Sequence, residues 1–364
     1  MERIVRRDIQ LLRGVAVLLV VLYHSGLGLV EHGYLGVDVF FVVSGFLITR
    51  IILRDLDAGS FSFAGFYLRR AKRLLPALYN TLFFTAIIAS VMLTPQQMAD
   101  FSEQFFGAIT FSANMVLPTQ ISYFGGDATS KPLLHIWSLS LEEQYYFFLP
   151  LLLFLLPRGL RLAGLIAVTS ISLAWCLIWV ADSGPPPFLW RFGEAQANEW
   201  AFFLFPTRAW DLLAGSICAW VMLRYGKLDV ARSLKWLSLA LIMLVSILGF
   251  DPIHPRGNAI AVVFATVILV LGSDSWLPKH KFFELIQRVG DWSYSVYLVH
   301  WPLFAFAYLG YVEQVPAVAS TAIMVASVFI GYLQYRYVEV PFRYRWEHTS
   351  GYLWRRVAFF SVIL

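Results

Sequence analysis

Leu11-Leu12-Arg13-Gly14-Val15-Ala16-Val17-Leu18-Leu19-Val20-Val21-Leu22-Tyr23-His24-Ser25-Gly26-Leu27-Gly28-Leu29-Val30 is the chain's first apolar run. It matches the ~20 residues that cross a bilayer as a helix, yet it carries Arg13 and His24. Eleven residues at 100° each end about 20° past three full turns, so both side chains share one helix face, roughly 16 Å apart along the axis. An ionisable group inside a membrane is costly and marks a functional site unless something plainer explains it. The plainer reading is an arginine snorkelling to lipid phosphates and a histidine bonded to a neighbouring helix.

Working outward, the whole chain repeats this character. Of 364 residues, 59% are hydrophobic and 14% charged, with a mean hydropathy of +0.67, more apolar surface than a water-soluble core can hide. Runs long enough to span fall at about 11–30, 36–54, 75–94, 138–157, 161–181, 209–223, 234–250, 258–272, 291–311 and 317–338. The expected fold is all-α, a polytopic membrane bundle of about ten transmembrane helices.

Basic residues set its orientation. Of the 28 Lys and Arg residues, all but Lys131, Arg191, Arg208 and Arg256 fall on one side of that ten-span topology, which the positive-inside rule makes cytoplasmic, together with the N-terminus. The net charge of +5 then reports topology and anionic lipid, and no nucleic-acid partner is expected. The first run keeps a charged flank and passes into a second span, so it reads as a signal anchor rather than a cleaved peptide. Cys176 and Cys218 lie in apolar spans and read as packing residues, and no residue cluster has metal-ligand spacing. After Arg355 and Arg356 the chain turns apolar again from Val357 to Leu364, the expected start of an eleventh helix following a cytoplasmic linker. The domains are therefore drawn as 1–345, the membrane domain, and 346–364.

Two longer outer insertions, Pro95 to Lys131 and Asp182 to Thr207, hold aromatics with Gly and Pro. They suit either stacking on sugar rings or covering the helix bundle. No internal repeat of the transporter kind is visible.

Four further places carry chemistry. Asp38, in Gly36-Val37-Asp38-Val39-Phe40-Phe41, should reach His24's depth in an antiparallel hairpin. A carboxylate on one imidazole nitrogen would leave the other free as a base; alternatively Asp38 serves the start of its own helix. Arg69-Arg70-Ala71-Lys72-Arg73 precedes the third span. It reads as a positive-inside anchor, or, since Arg70 and Arg73 share a face and Arg13 lies at the same membrane surface, as a site where guanidiniums meet a polyphosphate. Glu142 and Glu143 stand at the outer mouth of the fourth span about 100° apart, so at least one faces protein; the plain alternative is a favourable match to the helix dipole. Arg208 and Asp211 form an i,i+3 pair that lets both charges tolerate a membrane boundary.

Taken together, Arg13 with His24, the block Gly36–Ile48, Arg70-Ala71-Lys72-Arg73, Ser138-Leu139-Ser140-Leu141-Glu142-Glu143-Gln144, Gly290 through Tyr297-Leu298-Val299-His300-Trp301-Pro302, and Glu339-Val340-Pro341-Phe342-Arg343 resemble the membrane-bound acyltransferase family 3 from about Asp8 to Arg343. The nearest likeness within it is to bacterial O-antigen acetyltransferases. That resemblance implies an inner-membrane O-acetyltransferase taking its acetyl group from cytoplasmic acetyl-CoA, with no metal. The acceptor it implies is a polysaccharide or lipid-linked glycan, lipopolysaccharide O-antigen in particular, and it also implies an extracytoplasmic SGNH domain after an eleventh helix.

On this reading His24, Asp38 and Glu142 are the catalytic candidates, while Arg13, Arg70, Arg73 and Lys72 hold CoA phosphates. His24 either deprotonates the acceptor hydroxyl or carries the acetyl group itself, and His300 is a further, weaker site candidate whose plainer reading is core bonding. The rival from another class is a proton-coupled transporter of a polysaccharide precursor, with His24, Asp38 and Glu142 as its relay; a third reading is an inactive scaffold.

Overall fold

The computed structural model describes residues 6–120, 126–180, 200–226, 228–251, 255–311 and 314–345. Among these the chain is all-helical, with no strand. Its main helices are α1 (Arg7–His24), α2 (Gly36–Asp57), α3 (Phe63–Met92), α4 (Pro95–Ile109), α5 (Ile136–Leu155), α6 (Arg161–Ile178), α7 (Phe205–Tyr225), α8 (Arg232–Leu248), α9 (Gly257–Val270), α10 (Lys281–Gly310) and α11 (Ala317–Gln334).

Each apolar run read from the sequence falls largely within one helix, with boundaries moved by local chemistry. α1 ends at His24, six residues short of Val30, because Gly26 and Gly28 take positive φ values of 67° and 69°, the left-handed geometry that stops a helix. α3 starts early, at Phe63, where Ser62 Oγ accepts from the Gly65 N–H. The basic cluster therefore lies inside a helix and Arg70 and Arg73 do share a face. In the first long insertion, Thr94 and Gln97 make a reciprocal cap with Pro95 in the first turn, which is why α4 forms there. The residues 121–125 and 181–199, which include Tyr123, Phe124, Phe188 and Trp190 of the two insertions, and the tail 346–364 lie outside the described residues.

Four segments are long and apolar enough to cross a membrane by length and composition: Gly33–Asp57, Phe63–Met92, Arg158–Ile178 and Ala317–Arg343. The other expected spans are helical but carry interior charge, as α7 does at Arg208 and Asp211, or are short, as the 14 residues of α9 are. The solvent-facing pattern is inverted relative to a water-soluble protein. Val91 and Val318 are each 83% exposed, while Asp8, Asp38, Arg208 and Asp211 are fully buried. That arrangement is stable when hydrocarbon covers the outside.

Two helix crossings hold the site elements together, both through glycine. A Cβ on Gly45 of α2 would stand 1.8 Å from the Leu212 carbonyl of α7, and one on Gly215 would stand 2.0 Å from the Val42 carbonyl. α1 meets α10 in the same way: a Cβ on Gly14 would lie 2.1 Å from the Ile286 carbonyl, and one on Gly290 would lie 1.9 Å from that of Gln10. These backbones touch because no side chain separates them. The second crossing sets Arg13, the neighbour of Gly14, beside the N-terminal half of α10.

Candidate active site

α1, α2, α3, α5 and α10 enclose a narrow cavity of about 90 Å³. Arg13, Arg70 and Arg73 all line it, as do Ser44, Glu142, Tyr146, Tyr294 and Tyr297. The three guanidiniums expected to converge thus share one space. Lys72 does not line it, as its place on α3 turns it away from Arg70 and Arg73. Arg73 interacts electrostatically with Arg70, Arg13 and Arg343 and with the Glu339 carboxylate. Glu339, almost fully buried, accepts from Ser295 Oγ at 3.0 Å. Both Arg70 and Arg73 keep a buried Nε–H without a hydrogen-bond partner. Unmet donors in a low-dielectric interior are costly, and two of them beside one cavity fit an anion.

Glu142 is built into the wall. Tyr146 OH donates to its Oε2 at 2.6 Å and Ser44 Oγ at 3.3 Å, and Ser44 also bonds Tyr146. The guanidinium of Arg70 stacks on the Tyr146 ring with its Cζ 4.1 Å from the centroid, a cation–π contact. Glu143 faces protein as well, with a buried Oε1. Glu142 therefore belongs with the arginines.

At the C-terminal end of α1 stands a histidine group. His24 Nδ1 lies 3.1 Å from His300 Nε2, and His300 Nδ1 lies 2.6 Å from the Tyr297 carbonyl. Trp301 packs on the His24 ring at 4.5 Å between centroids, and Tyr308 OH donates to the His24 carbonyl at 2.8 Å. His135 sits beside His300, ring centroids 5.7 Å apart, and its Nε2 is 3.0 Å from the Leu298 carbonyl. That carbonyl is available because Pro302, four residues on, has no N–H to give it. Tyr297 joins the two regions: its hydroxyl meets Ser138 Oγ at 2.6 Å on the cavity side, while its carbonyl holds His300.

The expected His24–Asp38 pair is not formed. Asp38 Oδ1 is 2.7 Å from Arg208 Nη2, which also lies 3.0 Å from Asp211, all three side chains being fully buried. A buried guanidinium draws in every carboxylate within reach, and the crossing at Gly45 and Gly215 places α7 on Asp38's side of α2. Hairpin counting put Asp38 at His24's depth, but Gly33 packs against Leu19 and Gly36 against Ala16 and Val20, so Asp38 stands beside the middle of α1 and not its end, and its turn toward α7 was not legible in spacing either. Nor was the partner that His24 has instead, although a histidine two residues before a helical proline was a usable signal. Among the described residues no group of three or more His, Cys, Asp or Glu side chains could hold a metal ion.

Comparison with known proteins now settles the family. The model of the acyltransferase domain matches residues 6–336. The chain belongs to this family. A Komagataeibacter xylinus protein provisionally named a membrane-bound transacylase, BcsY, is 32% identical over 342 residues, 92% of this chain and 82% of that protein. The peptidoglycan O-acetyltransferase OatA of Listeria monocytogenes is 27% identical over 353 residues, 91% of this chain and 55% of its own length. A provisionally named O-acetyltransferase of Staphylococcus aureus strain COL is 28% identical over 349 residues, 91% and 56% respectively. The chain thus spans about half the length of these last two relatives. No solved structure matches it. The residues lining the cavity and the histidine group all fall within the matched span.

Proposed function

We propose that this acyltransferase domain is a membrane O-acetyltransferase that moves an acetyl group from acetyl-CoA to a sugar hydroxyl of a surface polysaccharide. The observation that carries the proposal is Arg13, Arg70 and Arg73 around one cavity, with two buried guanidinium N–H groups unmatched. Guanidinium forks suit the phosphates of CoA, and a cavity of about 90 Å³ suits a slender thioester arm better than a nucleotide. The phosphates then stay at the inner mouth and the acetyl end points along α1 toward His24.

His24 is the proposed general base. Its Nε2 lone pair accepts the acceptor's hydroxyl proton as the oxygen attacks the thioester carbonyl; the carbon–sulfur bond breaks and the imidazolium returns the proton to the leaving thiolate. Glu142, held by Tyr146 and Ser44, orders the guanidinium that stacks on Tyr146. Asp38 has no part in the chemistry.

Around this site the proposal places ten spans in a bacterial inner membrane with the N-terminus cytoplasmic, as the distribution of Lys and Arg supports. The named acceptor of the Listeria relative is peptidoglycan and the sequence likeness favours O-antigen; a glycan hydroxyl is common to both. Membership of an acyltransferase family favours this reading over a precursor transporter.

The test supplies labelled acetyl-CoA to membranes containing the protein and a surface glycan. Label on the glycan that disappears with His24→Gln, at matched protein level, supports the proposal; label unaffected by His24→Gln overturns it.

A further inference from the structure

We infer that His300 is a positioning residue for His24: it fixes which imidazole nitrogen of His24 carries the proton, taking the place a carboxylate would hold. The inference rests on His24 being the base.

A carbonyl oxygen can only accept, so the 2.6 Å contact of His300 Nδ1 with the Tyr297 carbonyl puts a hydrogen on Nδ1. In neutral His300 the other nitrogen, Nε2, then holds a lone pair. It lies 3.1 Å from His24 Nδ1, which must therefore be the donor. His24 is left with its lone pair on Nε2, the nitrogen free of His300. One carbonyl on α10 thus sets the tautomer of two rings in sequence.

His135 cannot exchange roles with His300. Its Nε2 is committed to the Leu298 carbonyl at 3.0 Å, and the same argument puts the proton there. Asp38, the carboxylate expected to pair with His24, is bound to Arg208. Tyr308 addresses the His24 backbone rather than its ring. His300 is fully buried, where a carboxylate would need a compensating cation; a neutral imidazole accepts the same hydrogen bond without one. When His24 Nε2 takes a proton, its Nδ1–H remains bonded to His300 Nε2, which shares the new charge.

The experiment measures kcat and the KM for acetyl-CoA in three substitutions within the full chain in detergent or nanodiscs. His300→Phe keeps a ring but offers no acceptor; it should lower kcat about 100-fold, the lower end of what a general base contributes, with KM for acetyl-CoA unchanged within twofold. His300→Gln places a side-chain oxygen near the position of Nε2 and should recover at least a tenth of wild-type kcat. Added to His24→Ala, His300→Phe should cost nothing more, because a residue acting only through His24 has nothing left to position.

Wild-type kcat in His300→Phe overturns the inference, as does a Gln variant no better than Phe, or an additive loss in the double variant. An active His24→Gln protein overturns the general-base reading itself, and so separates the two failures.

Discussion

Asp38 of α2 and Arg208 of α7 close a 2.7 Å ion pair with both side chains fully buried, and that pair takes Asp38 away from His24. Breaking one partner of such a pair costs about 3–5 kcal/mol. Asp38→Asn should therefore lower the thermal midpoint of the detergent-solubilised protein while activity per folded molecule stays within a few-fold. A variant of normal stability with a 100-fold lower kcat would return Asp38 to the catalytic group.

The arginines make the opposite expectation. Arg70→Ala or Arg73→Ala removes a fork from the shared cavity, and a hydrogen bond to a charged group contributes about 1.5–3 kcal/mol. Affinity for acetyl-CoA should fall tenfold or more, since ~1.4 kcal/mol is a factor of ten, with insertion retained. Lys72→Ala, outside the cavity lining, should leave affinity within twofold. Calorimetric titration with acetyl-CoA decides this, and equal affinities across the three would remove the cavity as its site.

Tyr146 has two separable jobs. Tyr146→Phe keeps the surface on which Arg70 stacks but loses the 2.6 Å bond to Glu142; Tyr146→Leu loses both. The Leu variant should raise the KM for acetyl-CoA by several-fold more than Phe does, because a cation–π contact away from water contributes about 2 kcal/mol. Equal KM values would show that the stack does not orient Arg70.

Close crossing at Gly290 admits no Cβ, since one would stand 1.9 Å from the Gln10 carbonyl. Gly290→Val should abolish folded protein in detergent, as judged by gel filtration. Gly159→Val meets nothing within 4 Å and should elute normally.

Much of the architecture was legible because a bilayer imposes length and polarity so strictly. The starts of α2 and α6 could be read to the residue, and their ends fall three residues from the expected bounds. What was not legible was rotation about the helix axes. Asp38 and His24 do occupy neighbouring helices, as hairpin counting implied, but Gly36 meets α1 at Ala16 and Val20, so Asp38 lies along the middle of α1 and turns toward Arg208, which leaves His24 to His300. The arginine cluster was more readable, because Arg70 and Arg73 share a face in any helix and the expected topology put Arg13 at the same surface, and all three line one cavity. Tyr146 and Tyr297 were passed over because aromatic residues are ordinary packing material in such a chain, and only their hydroxyl contacts set them apart.

Pro302 gives α10 an acceptor that the helix itself cannot use, and His135, at the start of α5, takes it. Trp301 Nε1 adds a second tie, donating to the Lys131 carbonyl at 2.8 Å just upstream. The two helices are thereby pinned in register by their own donors and acceptors instead of by the lipid around them. A bilayer a few ångströms thicker or thinner can tilt such a bundle, but it cannot slide α5 along α10 without parting those bonds. The span between Glu142 on one helix and His300 on the other is a length ruled by the protein, and under the proposed function an acetyl group would have the same distance to travel whatever the thickness of the membrane.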